Sequence, residues 1–202
     1  MTKVVWSTVA RLGIAALAFG GASCGELTRQ GQSPAYLIIQ AMEAAQGHAP
    51  DEFFASLSSD VITVVDDVAA VFPDGGRVTF ALGLKDPGPS TSPSTPSPNN
   101  AITVNRYRVN FIRADGRNTP GVDVPYPFDG AFTVTVSGEA SIGFTLVRVV
   151  AKNEAPLAAL RNSPVFIDTI AEVTFYGFDQ TGREVIATGN IGVNFGNFAD
   201  PQ

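Results

Sequence analysis

The stretch AEVTFYGFDQTGREVIATGNIGVNFGNF, residues 171–198, decides the fold of this chain. Aromatic and β-branched residues alternate with other residues on both sides of the sequence DQTG at 179–182, which is the pattern typical of β-strands. Val173 and Phe175 would share one strand face, and Thr174 and Tyr176 the other. The Asp and Gly of DQTG favour a tight turn. The stretch therefore predicts a long β-hairpin at the centre of an all-β sandwich.

Other parts of the chain carry the same strand signal at the spacing of a β-sandwich. Residues 35–46 are ambiguous because Ala, Met, Glu and Gln favour a helix whereas Tyr36 to Ile39 favour a strand; we favour the strand in an otherwise all-β chain. The sequence PDGG at 73–76 predicts a turn. Further strand-like runs occupy residues 60–67, 77–85, 101–113, 131–137 and 142–152. Together with the hairpin, these runs predict a single domain over residues 35–200.

A low-complexity segment rich in proline, serine and threonine interrupts the strands at residues 86–100, DPGPSTSPSTPSPNN. Such a composition cannot form a packed core and is typical of an extended loop. It could also mark a domain boundary. We interpret it as a loop within the domain, because the residues before it offer too few strands to close a sandwich alone.

The first residues of the chain are typical of a targeting segment. Lys3 and Arg11 provide positive charge, and the apolar run LGIAALAF at 12–19 is too short to cross a bilayer comfortably. The following residues Ala22, Ser23 and Cys24 resemble the lipobox of bacterial lipoproteins. This resemblance implies a signal peptide at 1–23 and diacylglycerol on Cys24. The polar, patternless residues that follow predict a flexible tether at 24–34.

An ordinary secretory signal is the alternative interpretation of the leader. Cys24 is the only cysteine of the chain, and an unpaired thiol is unusual in an exported protein. Lipidation of Cys24 would remove that thiol, so we favour the lipoprotein.

Two runs in the second half, YRVNFIRADGRNTPGVDVPYPF at 107–128 and residues 170–198, resemble a family of exported bacterial proteins of unknown function with an immunoglobulin-like β-sandwich. The resemblance implies a shared fold, a single immunoglobulin-like sandwich, and the strand-like runs of this chain predict about eight or nine strands for it. It transfers no catalytic residue. The Cys…Trp…Cys pattern of true immunoglobulin domains is absent from the sequence.

Charge and composition disfavour several classes of function. The formal net charge of −6 disfavours a nucleic-acid partner, because the phosphate backbone binds clustered Lys and Arg residues. His48 is the only histidine, so a catalytic triad would have to use it, and the only Gly-x-Ser-x-Gly sequence, residues 21–25, lies at the predicted cleavage site of the leader. One histidine and one cysteine provide too few ligands for a zinc site. We therefore predict a protein that is not an enzyme; a carboxylate-dependent hydrolase is the third interpretation, because sequence alone cannot place two acids across a cleft.

A calcium site is a weak second interpretation. Asp115, Asp123 and Asp129 lie in loop-rich sequence that could bring carboxylate oxygens together, and Ca²⁺ takes six to eight oxygen ligands. The spacing of an EF-hand loop is absent. No other cofactor is expected.

Four residues form a candidate binding surface. Arg106 and Arg108 share one face of a predicted strand and could bind an anionic partner; cross-strand pairs with acids are the plainer interpretation. Tyr126 and Phe128 lie in a proline-rich segment, where exposed aromatic residues could bind a ligand such as a glycan; capping the end of the sandwich is the plainer role.

The sequence thus predicts a lipoprotein of the bacterial cell envelope, on its periplasmic or surface face. It would be held to a membrane by Cys24 and would act by binding or assembly, with an envelope protein or a glycan as partner and no nucleic acid. A calcium- or carbohydrate-binding module is the alternative.

Overall fold

The computed structural model describes residues 33–198 and residue 200. The predicted signal peptide at 1–23, Cys24 and most of the tether at 24–34 lie outside the described residues. The described chain is mainly β-strand, which confirms the all-β prediction. Its strands are β1 (Ala35–Ala45), β2 (Ser56–Asp60), β3 (Thr63–Val65), β4 (Val68–Ala70), β5 (Asp74–Leu84), β6 (Ile102–Ile112), β7 (Phe128–Val136), β8 (Glu139–Val147), β9 (Ile167–Asp179) and β10 (Glu184–Gly196).

The strands form two main sheets and a small hairpin. The smaller sheet has the order β1-β5-β8, and the larger has the order β2-β10-β9-β6-β7. All pairings are antiparallel except that of β2 with β10, which is parallel. The hairpin β3–β4 reverses at Asp66 and Asp67, which both have positive φ. Strand β3 and this turn lie within the predicted run at 60–67, β4 lies just beyond it, and the extra hairpin raises the strand number above the eight or nine expected.

The central hairpin forms as the sequence predicts. Strands β9 and β10 pair from Phe178–Glu184 to Ile167–Phe195, and β9 occupies the middle of the larger sheet. Asp179 closes the turn, because its Oδ1 accepts hydrogen bonds from the backbone N–H groups of Thr181 and Arg183, both at 2.9 Å. Gly182 adopts a φ of 79°, a backbone conformation that residues with a Cβ atom rarely adopt.

The two sheets pack face to face around one core. The rings of Phe80 on β5 and Phe175 on β9 meet edge to face, with centroids 5.0 Å apart. Tyr107 on β6 also contacts Phe144 on β8, at 5.1 Å. Aromatic pairs in this geometry add to the free energy gained from apolar burial. The sheet faces are buried as alternation predicts, with Val173, Phe175, Val193 and Phe195 completely inaccessible.

Two short segments differ from the sequence prediction. Residues 73–76 do not form a turn: Asp74 opens β5, and the glycines lie within the strand. The run at 142–152 is a strand only to Val147, and helix α1 (Val149–Asn153) follows. Residues 75–76 pair with Thr145 and Phe144 of β8 instead, and the two segments meet at the buried contact between Asp74 and Lys152, so contacts between distant segments outweigh the local preference.

Three remaining segments complete the description. Residues 35–46 form a strand to Ala45, as favoured. The proline-rich segment connects β5 to β6 and ends in a 3-10 helix at Pro98–Asn100; a second 3-10 helix spans Leu157–Asn162. Within residues 33–198 and 200, none of the helices has the length and apolar character that a membrane crossing requires.

Candidate functional site

The outward face of the larger sheet carries a row of three large side chains on three neighbouring strands. Arg106 on β6 pairs with Tyr176 on β9, which in turn pairs with Ile186 on β10. The Arg106 guanidinium lies over the Tyr176 ring, with Cζ 4.2 Å from the ring centroid. Cation–π contact of this kind orients the guanidinium while leaving its donors available. We call Arg106, Tyr176 and Ile186 the outer row.

A bulge in β6 positions Arg106 in that row. The register of β6 against both neighbours shifts between Val104 and Arg106, so that Asn105 is an extra residue. As a result, Asn105 and Arg106 are both exposed although they are consecutive. Arg108, two residues further on, is paired differently: it forms an ion pair with Asp129 on β7 at 2.8 Å.

A cleft of about 200 Å³ lies beside the outer row, where the edges of the two sheets approach each other. Ile186 belongs to both the outer row and the cleft. Tyr36 on β1 forms part of the cleft wall, and its ring lies directly over Gly83 of β5. The lining combines apolar surface with both signs of charge, and it comprises Ser33, Ala35, Tyr36, Lys85, Glu184, Val185 and Ile186.

The two predicted aromatic residues of the proline-rich segment have different environments. Tyr126 is 53% exposed and stays available for binding. Phe128 is 6% exposed, so the expectation of an exposed aromatic residue is wrong at this position. Its ring packs edge to face against Tyr107 on the inner side and is covered by Arg148, whose Cζ lies 4.4 Å from the ring centroid.

The three aspartates of the predicted calcium site each have separate partners. Asp115 lies between Arg113 and Arg117, at 2.6 and 2.7 Å. These hydrogen bonds, first from Arg113 and then from Arg117, hold the pKa of Asp115 far below its usual value.

Asp123 accepts a hydrogen bond from the Thr119 backbone N–H at 3.2 Å, and Asp129 is held by Arg108. Among the described side chains, no group of three or more His, Cys, Asp or Glu residues is arranged to hold a metal ion. The calcium site stays a prediction, and these three aspartates are not gathered for it in the structure.

A buried polar cluster was not predicted from the sequence. Lys152 Nζ lies 2.8 Å from Asp74 Oδ2, and both side chains are only 1% exposed. Ser59 donates its hydroxyl hydrogen to the same oxygen at 2.6 Å, and the Gly47 backbone N–H donates to Asp74 Oδ1 at 2.9 Å. Burial raises the pKa of Asp74 above its ordinary value, although the charge of Lys152 and these hydrogen bonds act in the opposite direction.

The functional residues that sequence reasoning missed have no local sequence signal. Alternation already placed Tyr176 on the strand face opposite Val173 and Phe175, but its contact with Arg106 depends on the bulge at Asn105, which has no local signature. No signal near Asp74 indicated a buried acid, because PDGG is a common turn sequence.

No protein-family model matches this sequence, and no curated protein matches it significantly. The chain's own residues therefore carry the functional inference.

Proposed function

We propose that this chain is a lipid-anchored protein of the bacterial envelope that acts by binding or assembly, through the outer row and the adjoining cleft of an immunoglobulin-like sandwich. The observation that carries the proposal is the row Arg106–Tyr176–Ile186, which places an oriented guanidinium, an aromatic ring and an apolar side chain on one solvent-facing surface. Tyr and Arg are the residue types enriched at the energetic centres of protein interfaces.

The strand order supports an immunoglobulin-like sandwich. In that fold, the first, second and fifth strands (A, B and E) share one sheet, whereas strands C, F and G share the other. Here β1, β5 and β8 share the smaller sheet, and β6, β9 and β10 are adjacent in the larger one. Strand β7 beside β6 then takes the place of the C′ strand of variable-type domains.

The position of the cleft supports a partner close to the membrane. Ser33 lines the cleft and lies nine residues after Cys24. A fully extended chain of that length reaches about 30 Å. If Cys24 carries lipid, the cleft therefore stays within that distance of the membrane surface, where envelope proteins and glycans are concentrated.

The exposed charges beside the outer row favour a protein partner over a bare lipid surface. The outer row carries the cation Arg106, the adjoining cleft lining includes Glu184 and Lys85, and the chain as a whole is acidic. A surface with both signs of charge around an aromatic centre is typical of protein–protein recognition, where charge sets specificity more than affinity.

Crosslinking of the full chain in native membranes tests this proposal. We expect a specific protein to crosslink to the wild-type chain and to be lost with Cys24→Ala, which also removes incorporation of labelled palmitate. The partner, once purified, should bind the Tyr176→Ala variant at least about fivefold more weakly, because truncating a central aromatic residue commonly costs more than about 1 kcal/mol.

Arg77→Ala is the matched control. Arg77 also stacks on an aromatic ring, that of Phe53 at 3.9 Å, but it lies in the smaller sheet. Equal weakening by Tyr176→Ala and Arg77→Ala would place the binding surface elsewhere, and palmitate incorporation that persists in Cys24→Ala would overturn the anchor.

Carbohydrate binding is the second candidate, favoured by the exposure of Tyr126. Aromatic faces can stack on sugar rings, and Tyr126 lies in the loop before β7 with about half of its surface exposed and the end of its ring against Gly121. Retention of the wild type on envelope polysaccharide, with loss on Tyr126→Ala and not on Tyr176→Ala, would favour this candidate over the protein partner.

A further inference from the structure

The buried cluster around Asp74 combines three features that a binding role does not use. An amine and a carboxylate are in contact at 2.8 Å, neither is reached by solvent, and two further groups donate hydrogen bonds to the two carboxylate oxygens. The cluster lies where the start of β5 meets helix α1, far along the sequence from one another.

An ion pair in this position is costly to maintain. Removing two charges from water costs several kcal/mol per ion, and one contact offsets this only when the geometry satisfies both groups. Replacing the pair by two neutral groups would remove that cost. Burial also raises the pKa of Asp74, which favours the neutral carboxylic acid.

We propose that Lys152 and Asp74 form an intramolecular amide, so that the mature domain is covalently closed between the start of β5 and helix α1. The modification is made by the chain's own residues and requires no external reagent. Neither the lipid anchor nor the outer row takes part in it.

The reaction starts from the contact that the structure contains. Lys152 Nζ transfers one proton to Asp74 Oδ2, which leaves a neutral amine beside a carboxylic acid. The nitrogen lone pair then attacks Cγ, and the electron pair of the Cγ–Oδ1 double bond moves onto Oδ1. The Gly47 N–H already donates to Oδ1 and stabilises this developing negative charge.

Collapse of the intermediate expels water. Ser59, hydrogen-bonded to Oδ2, relays a second proton from the nitrogen to that oxygen. The Cγ–Oδ2 bond breaks as the Cγ–Oδ1 double bond re-forms. Of the three ammonium hydrogens, one remains on the amide nitrogen and two leave with Oδ2 as water, so the charges of the pair cancel and nothing is oxidised or reduced.

Proximity supplies much of the rate. Reacting groups held in contact and orientation gain effective molarities that a free amine and acid never reach in solution. Once the released water has left, the buried site excludes solvent, so the reverse hydrolysis lacks its reactant.

Peptide mapping of the folded full chain carrying Cys24→Ala tests the proposal. Trypsin cuts after Arg29 and Arg77 and after Arg148 and Arg161. The amide would block cleavage at Lys152 and join residues 30–77 to residues 149–161 in one branched peptide. We expect that peptide, lighter by one water than its two parts, in place of the linear products. Recovery of linear 30–77 together with 149–152 in full yield from the wild type would overturn the proposal.

Two variants separate the reaction from the ion pair. Lys152→Arg keeps the positive charge but removes the amine nucleophile, so we expect only linear peptides and slower migration in a denaturing gel than for the cross-linked wild type. Ser59→Ala retains both reacting groups, and we expect it to form the amide at least about 100-fold more slowly. An unchanged rate in Ser59→Ala would contradict the proton relay.

Discussion

The hydroxyl of Tyr107 bridges the two sheets by both donating to the carbonyl oxygen of Thr145 and accepting from its backbone N–H, each at 3.2 Å. Tyr107 belongs to β6 in the larger sheet, and Thr145 belongs to β8 at the edge of the smaller one. One side chain thus satisfies both backbone groups of an edge residue, and it fixes the separation of the sheets at that point.

Replacing Tyr107 by Phe removes both hydrogen bonds and preserves the ring contacts. We expect the free energy of unfolding to fall by about 1–3 kcal/mol, because two partly buried backbone groups lose their partner. Urea denaturation of Tyr107→Phe measures this loss. Tyr126→Phe, at an exposed tyrosine, is the control and should change stability by less than about 0.5 kcal/mol; equal effects of the two changes would contradict the bridging role.

The adjacent glycines of β5 should respond differently to alanine. A Cβ at Gly76 would lie 2.5 Å from Cζ of Phe144, whereas a Cβ at Gly75 meets no atom within 4 Å. We expect Gly76→Ala to destabilise the domain by about 1–3 kcal/mol through displacement of the ring. Gly75→Ala is the matched control and should be neutral or slightly stabilising. Thermal unfolding of the two variants, measured side by side, tests this contrast. A similar fall in the unfolding midpoint of both variants would contradict the role of the Phe144 ring.

The turn aspartate of the central hairpin should make stability depend on pH. Burial raises the pKa of Asp179, but hydrogen bonds from Arg183 and Thr181 outweigh that effect, so its pKa in the folded protein lies below the ordinary value. A lowered pKa contributes stability above the unfolded value of about 3.9 and loses it as the pH falls through the folded value.

We therefore expect Asp179→Asn to be less stable than the wild type at pH 7, and the difference to shrink as the pH falls below about 4. Urea denaturation across that range measures both effects. A stability difference that stays constant with pH would show that the charge of Asp179 is not involved.

Calcium is expected to leave the thermal unfolding midpoint unchanged. The carboxylates of Asp115 and Asp129 are already occupied by arginines, and ion binding would first have to break those pairs. Differential scanning fluorimetry with calcium, and again after EDTA, tests this. A rise in the midpoint that EDTA reverses, and that Asp115→Asn abolishes, would show that the loop rearranges into a calcium site.

Local patterns predicted the parts of the fold that local geometry controls. The hairpin at 171–198 could be read directly, because alternation reports which side of a strand each residue occupies, and Val173 and Phe175 are indeed buried. The strand at 35–45 was less certain, since half its residues favour helix and only its pairing with β5 decides the outcome.

Contacts between distant segments could not be predicted in the same way. Asp74 was assigned to a turn because its neighbours are turn formers, yet Lys152, remote in sequence, holds it in the core. Phe128 follows a proline and has no strand pattern before it, so its burial by Tyr107 and Arg148 has no local signal. The outer row likewise could not be predicted, because it depends on the register of β6, β9 and β10.

The direction of β1 has a mechanical consequence. Residues at the start of β1 line the cleft together with Glu184 at the start of β10, and Ile39 lies beside Gly189 further along, so the two strands run the same way. The chain therefore enters at one end of the domain and leaves at the other, separated by about 40 Å for the 13 residues of β10. Tension between an N-terminal anchor and a load at the far end would act along β1, against all of its hydrogen bonds to β5 at once. Because this force shears β1 along β5 and loads all of these hydrogen bonds together, we expect the domain to resist it strongly. A hairpin pulled open from one end would instead lose its hydrogen bonds one at a time.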